Sequence, residues 1–201
     1  MTTLLQINSS IHNGHGQSSQ LAEHFVAAYR KRNPDTRFVK RDLAGADEVP
    51  HLTAERFSAF TTKPEDLSAA QRAVLAYSDQ LIGELKAADV IVLGLPWYNF
   101  GVPSQLKAYF DHITRAGVTF RYTANGPQGL LTGKKVYVFA TRGGHYAGTP
   151  IDTQTNFVRD ILRFVGITEV EFVYAEGLSR GSETRDASLS KARIQAETLV
   201  A

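Results

Sequence analysis

Val90-Ile-Val-Leu-Gly-Leu-Pro-Trp-Tyr-Asn-Phe-Gly-Val-Pro103 passes without a break from branched apolar residues into a cluster of aromatics. Its opening, Val90–Leu93, is a continuous apolar run, the pattern of a parallel strand covered on both faces. Pro96 ends that run, and Trp97, Tyr98 and Phe100 follow where the strand stops. Towards the N-terminus, Leu4-Leu-Gln-Ile7 is a second short apolar run, closed by Asn8-Ser-Ser10. A glycine- and hydroxyl-rich loop then leads into Leu21, Phe25, Ala28 and Tyr29, spaced as on one face of a helix. Asn33-Pro-Asp35 stops that helix, and residues 37–42 read as a strand.

Residues 45–68 contain Pro50 and Pro64 and predict an irregular excursion with one short helix near 54–60. A longer helix is expected from about 68 to 87, with Ser68 as N-cap and Gln71 three residues on, the amide form of a capping box. Beyond the aromatic cluster, Leu106, Tyr109, Phe110 and Ile113 mark a helix, and Lys135–Ala140 is another buried strand leading to Thr141-Arg-Gly-Gly144. A helix over about 153–165, a strand over 170–174 and a C-terminal helix complete the pattern. Alternating strands and helices predict an α/β fold: a doubly wound, parallel, five-stranded sheet with helices on both faces, in one domain over 1–201.

Hydrophobic residues form 43% of the 201, enough for a substantial core. Twenty-two basic against 20 acidic residues give a net charge of +2, too even for the concentrated basic face that nucleic-acid binding needs. The chain has no cysteine, which excludes disulfides, thiolate nucleophiles and Cys-ligated metals. The N-terminus lacks the basic and long apolar segments of a signal peptide, and no apolar run approaches the roughly 20 residues of a membrane helix. A cytoplasmic protein with no membrane or nucleic-acid partner is expected.

In an open parallel sheet, ligands bind outside the carboxyl ends of the strands. Three loops converge on that edge. Ser9–Ser19 runs into a helix N-terminus, where backbone N–H groups and the helix dipole suit a phosphate. It is not a P-loop, and Gly14-His-Gly16-Gln-Ser-Ser19 lacks the third glycine or alanine of a dinucleotide fingerprint; Asp42, at the end of the second strand, keeps a ribose-binding reading open. In the second loop, Trp97, Tyr98 and Phe100 suit a flat apolar ligand and Asn99 adds a directional amide, unless the rings pack as core under the next helix. In the third, Gly143 and Gly144 permit close backbone approach, to a ligand or in a plain tight turn. A phosphate cradle, an aromatic wall and a glycine shelf together suit a phosphorylated planar cofactor such as FMN. His12 and His15 have no carboxylate or third histidine to complete a metal site. His145 reads as a solvated loop histidine, and Arg142 either offsets charge near the cofactor ring or forms a surface ion pair.

Ser9-Ser10 with Gln17-Ser18, Pro96–Phe100 and Thr141-Arg-Gly-Gly144 resemble the FMN-dependent NADH–azoreductase family of flavodoxin-like quinone reductases. So do Arg115-Ala-Gly-Val-Thr-Phe-Arg-Tyr122, Asn125–Leu130, Thr132–Lys135, Gly166-Ile-Thr168 and Ala175-Glu-Gly177. The resemblance implies non-covalent FMN, its phosphate held by Ser10, Gln17 and Ser18. Gly16 stands where family members often carry serine and offers a backbone N–H instead. Trp97, Tyr98, Asn99 and Phe100 would line the ribityl chain and ring, and Thr141, Arg142, Gly143 and Gly144 would meet the ring edge. Tyr122 would help form the acceptor pocket, and the protein would be a homodimer. The activity implied is ping-pong two-electron transfer from NADH or NADPH to small aromatic acceptors. A quinone takes one cycle, and an azo bond is cleaved to two amines in two. No catalytic side chain is assigned, because the cofactor carries the hard chemistry. A flavodoxin-type electron carrier and a flavin-free nicotinamide-binding Rossmann protein are the rival readings. The even charge balance disfavours the first, and the missing third glycine disfavours the second.

Overall fold

Every residue of strand β3 (Val90–Pro96) is buried, and its side chains alternate between two hydrophobic cores. Ile91, Leu93 and Leu95 point to the core shared with α3 (Ala69–Ala87), α4 (Ser104–Ile113) and α5 (Thr153–Phe164). Val90 and Val92 point to the other, covered by α1 (Gln17–Arg32) and α6 (Ser182–Val200). The apolar run thus reflects a strand with helices on both sides. The computed structural model describes residues 1–45 and 48–200. Positions 46 and 47 of the irregular excursion lie outside the described residues, as does position 201 of the expected domain.

β3 is the middle of a five-stranded sheet, with β1 (Thr3–Asn8) and β2 (Arg37–Asp42) on one side and β6 (Lys135–Thr141) and β7 (Glu169–Ala175) on the other. All four pairings are parallel, in the order β2-β1-β3-β6-β7. The expected doubly wound parallel sheet is therefore present, and the winding reverses between β1 and β3. The loops after β1 and β3 diverge there, leaving a crevice at the carboxyl edge.

Local chemistry sets the element ends. Thr53 caps the short α2 (Ala54–Ser58) by accepting from the Arg56 N–H, and Pro50 O is paired with His112 Nε2 of α4 at 2.9 Å. Ser68 caps α3, and the capping box with Gln71 closes in both directions. Residues 120–129 form an antiparallel hairpin, β4 (Phe120–Thr123) and β5 (Gly126–Gly129), which was not read from the sequence; neither strand pairs with the main sheet.

Candidate functional site

The β1–α1 loop is pinned to β3: Ser9 donates through both its N–H (3.2 Å) and its Oγ (2.7 Å) to Gly94 O. Gly94 has no side chain for a physical reason, because a Cβ there would stand 3.2 Å from the Ser18 backbone at the start of α1. The small residue missing from the loop's own motif is thus supplied across the sheet, by the facing strand. Gly16 precedes α1 without a side-chain cap, so the N–H groups of the first helical turn, Gln17, Ser18 and Ser19, are not taken up by helix carbonyls. Ser18 Oγ is fully buried with no hydrogen-bond partner, and Ser10 Oγ lies 3.2 Å from the Tyr98 hydroxyl. Free helix-start amides around an unpartnered buried hydroxyl fit a phosphate group. His12 and His15 are exposed, and no metal-binding cluster occurs among the described residues.

The β3–α4 loop folds back on itself in a tight turn, with Tyr98 and Gly101 bonded in both directions. Its two central residues, Asn99 (φ 47°) and Phe100 (φ 65°), are both left-handed, which for a phenylalanine is strained. Phe100 is 63% exposed, so burial does not compensate that strain. The loop is held from outside: Trp97 N–H donates to Thr141 O at 2.9 Å, and buried Gln154 of α5 donates to Pro96 O and Gly101 O. The Thr153 hydroxyl donates to Phe100 O. Beside this turn lies an open cavity of about 590 Å3 lined by Ile11, Trp97, Tyr98, Asn99 and Val102, large enough for a fused ring system. The rings of this loop do not pack as core under α4. A larger cleft of about 710 Å3 lies between α2 and α3, away from the three loops.

After β6, the carbonyls of Arg142, Gly143 and Gly144 accept from Leu178, Ser179 and Gly177, while the N–H groups of Gly143 and Gly144 make no hydrogen bond among the described residues. Two outward amides at a strand end suit ligand carbonyls and ring nitrogens. The close approach that the two glycines permit is partly to protein: a Cβ on Gly143 would stand 2.6 Å from Ser179 Oγ, and one on Gly144 2.6 Å from the Tyr146 ring. Arg142 requires a correction. It is not a surface ion pair: the side chain is 1% exposed, bidentate to Asp152 (2.9 and 3.0 Å) and 3.3 Å from Glu176. Its guanidinium also lies 4.8 Å from the Trp97 ring centroid. Burial alone would raise the Asp152 carboxyl, but Arg142 and the N–H and hydroxyl of Thr155 hold it below the ordinary aspartate range. Asp152 also caps α5, so one carboxylate fixes both the helix start and the arginine.

The structure brings Ser10, Gly16, Gln17, Ser18, Trp97–Phe100 and Thr141–Gly144 to one edge. It does not bring Tyr122 there. Tyr122 lies on β4, 75% exposed, and its neighbour Phe120 packs against Phe164 at the end of α5, rings 4.5 Å apart and tilted. That end adjoins the start of β7, opposite the ligand edge, so within one chain Tyr122 is remote from the three loops. Asp42, at the end of β2, accepts from the Ala44 N–H. Gly94, Asp152, Gln154 and Glu176 were not singled out from the sequence; Glu176 alone had a signal, as the middle of Ala175-Glu-Gly177.

The family description "flavodoxin-like fold" matches residues 2–200. An FMN-dependent NADH:quinone oxidoreductase of Cellvibrio japonicus is 53% identical over 98% of this chain and 98% of its own length. FMN-dependent NADH:quinone oxidoreductase 6 of Burkholderia lata is 54% identical, over 96% of this chain and 97% of its own. Among solved structures, an azoreductase from Bacillus anthracis superimposes with a TM-score of 0.90 at 27% identity, covering 100% of this chain and 99% of that one. An FMN-dependent NADH-azoreductase from the same species, in complex with FMN, gives 0.87 at 25% identity with both chains fully covered.

Proposed function

That the chain belongs to the flavodoxin-like fold family, with relatives named FMN-dependent NADH:quinone oxidoreductases, is the premise from which we propose that it is an FMN-dependent oxidoreductase reducing quinones and azo compounds with NADH. The single observation that carries this reading is the buried, unpartnered Ser18 hydroxyl among the free amides of the first α1 turn, set at the switch point beside an aromatic-lined cavity.

FMN, when bound, supplies two-electron chemistry between nicotinamide and acceptor. The protein's part is to grip and orient. Ser10, Gly16, Gln17 and Ser18 hold the phosphate through hydroxyls and N–H groups, with the α1 dipole assisting. Trp97, Tyr98, Asn99 and Phe100 present a wall for the ribityl chain and ring, and the Gly143 and Gly144 amides, with Thr141 and Arg142 behind them, meet its polar edge. Asp152 and Glu176 neutralise Arg142 from within, so that side chain stiffens the loop and makes no direct ligand contact. The donor and the acceptor use one open face in turn, which gives ping-pong kinetics.

The reading includes one domain over 1–201, a cytoplasmic location and a homodimer. No helix among the described residues is long and apolar enough to cross a membrane. Exposed Phe57, Phe100 and Tyr122 are apolar surface that a second copy would cover, and only another copy brings Tyr122 near the three loops. The test is direct: apoprotein incubated with FMN and then desalted stays yellow, NADH bleaches it, and a quinone restores the colour. Protein that stays colourless with FMN refutes the cofactor, and a bound flavin that NADH leaves oxidised points to an electron carrier.

A further inference from the structure

Glu176 makes a contact that the sheet ladder does not require. Its carboxylate, just past β7, accepts the backbone N–H groups of Tyr146 and Ala147, each at 2.8 Å, with Arg142 Nη1 at 3.3 Å. Its own N–H donates to Ser188 Oγ of α6, which fixes the backbone from which it reaches. Other hydrogen bonds of residues 146–149 stay local: Thr149 donates to Tyr146 O through its N–H and hydroxyl, and Asp152 N–H donates to Thr149 O. One carboxylate thus ties this loop to the rest of the molecule. The ring it places stacks on Trp97, centroids 5.1 Å apart at 23°, and covers Gly144. The Tyr146 hydroxyl makes no hydrogen bond among the described residues, so backbone and stacking alone set the ring.

We propose that Glu176 is a positioning residue that holds Tyr146 beside Trp97, and that Tyr146 sets the width of the flat acceptor the site admits. The substrate half of this inference rests on the oxidoreductase reading above; the clamp rests on the geometry alone. Two amides converging on one buried-edge oxygen fix the direction of the chain at Tyr146, and a stacked ring on such an anchor is a wall of fixed position. A one-ring quinone passes it with little contact, whereas a two-ring quinone lies against it.

Trp97 is the only tryptophan in the chain, so its emission reads the stack without any flavin present. Tyr146→Leu and Glu176→Ala are expected to shift that emission in the same direction and to a similar extent, and Glu176→Gln, which keeps an acceptor oxygen, to restore it. In turnover with NADH, both disruptive variants are expected to raise the KM for menadione about two- to tenfold, the loss of one aromatic contact, with a smaller change for 1,4-benzoquinone and less effect on kcat. Where Glu176→Ala does not fold, Glu176→Asp keeps the charge on Arg142 while withdrawing the acceptor, and makes the same comparison. Parent-like emission in Glu176→Ala, or in Glu176→Asp where that variant stands in for it, alongside a shift in Tyr146→Leu, overturns the clamp. An unchanged ratio of the two KM values in Tyr146→Leu overturns the wall. A parent protein that neither takes up FMN nor oxidises NADH defeats the oxidoreductase reading, while the emission comparison still decides the clamp.

Discussion

Gly16 lies so close to Ser10 that a Cβ at position 16 would stand 2.5 Å from Ser10 Cβ and nearer still to its hydroxyl. With φ −65°, Gly16 is not there for backbone freedom; it is there for space. A side chain at 16 displaces Ser10, and with it the link to Tyr98. Gly16→Ser is therefore expected to weaken FMN binding about tenfold, as over-packing by one or two atoms does, even though it adds a hydroxyl near the phosphate. Flavin titration of the apoprotein measures it, and tighter binding in the variant would contradict the steric argument.

Ser18 makes the opposite case. Its buried hydroxyl has no partner, so Ser18→Ala removes nothing from the apoprotein, and thermal unfolding without flavin is expected at or slightly above the parent value. A hydrogen bond to a charged phosphate is worth about 1.5–3 kcal/mol, so the same change is expected to raise the FMN dissociation constant about ten- to hundredfold. Equal affinity in the two proteins would remove Ser18 from the cradle.

Asp152 carries a pH dependence whose sign follows from its lowered carboxyl. The pairing with Arg142 stabilises the fold fully above the unfolded aspartate value of 3.8 and is lost as pH falls from there through the lower folded value. Stability is thus expected to drop with acid more steeply in the parent than in Asp152→Asn. At neutral pH that variant is expected to be less stable by about 3 kcal/mol, because it leaves a buried guanidinium under-compensated. Denaturant midpoints measured between pH 3 and 7 test both halves, and parallel profiles would refute the assignment.

Phe100 trades stability for its place. A left-handed, 63% exposed phenylalanine costs about 1–2 kcal/mol of backbone strain relative to glycine. Phe100→Gly is expected to recover up to about 1 kcal/mol in thermal unfolding while losing several-fold in flavin or acceptor affinity. Loss of stability with affinity intact would show that the ring serves the fold.

The elements that were legible in the sequence are those whose signal is local. Val90–Leu93 announces a strand covered on both faces, and Ser68 with Gln71 announces the start of α3, because burial and capping act within a few residues. The meeting of the three loops was legible because a parallel fold delivers strand ends to one edge. What stayed hidden depends on distance along the chain. Arg142 looked exposed until Asp152 and Glu176, 10 and 34 residues further on, closed over it. Gly94 looked like a plain strand residue until α1 was laid against it. Tyr122 gave no sign of its place, and only the path of α5 shows that its hairpin sits at the other end of the domain from the three loops of its own chain.

That hairpin has a consequence for how the lineage diversifies. Neither β4 nor β5 pairs with the parallel sheet, and the tight spot beneath them is Gly129, whose Cβ would overlap the Gly166 backbone. Insertions or replacements at the Asn125 tip therefore leave every rung of the parallel ladder in register. The likeness of Arg115–Tyr122 and Asn125–Leu130 to the family is therefore not demanded by the sheet, and replacements there should change dye or quinone preference before they change stability.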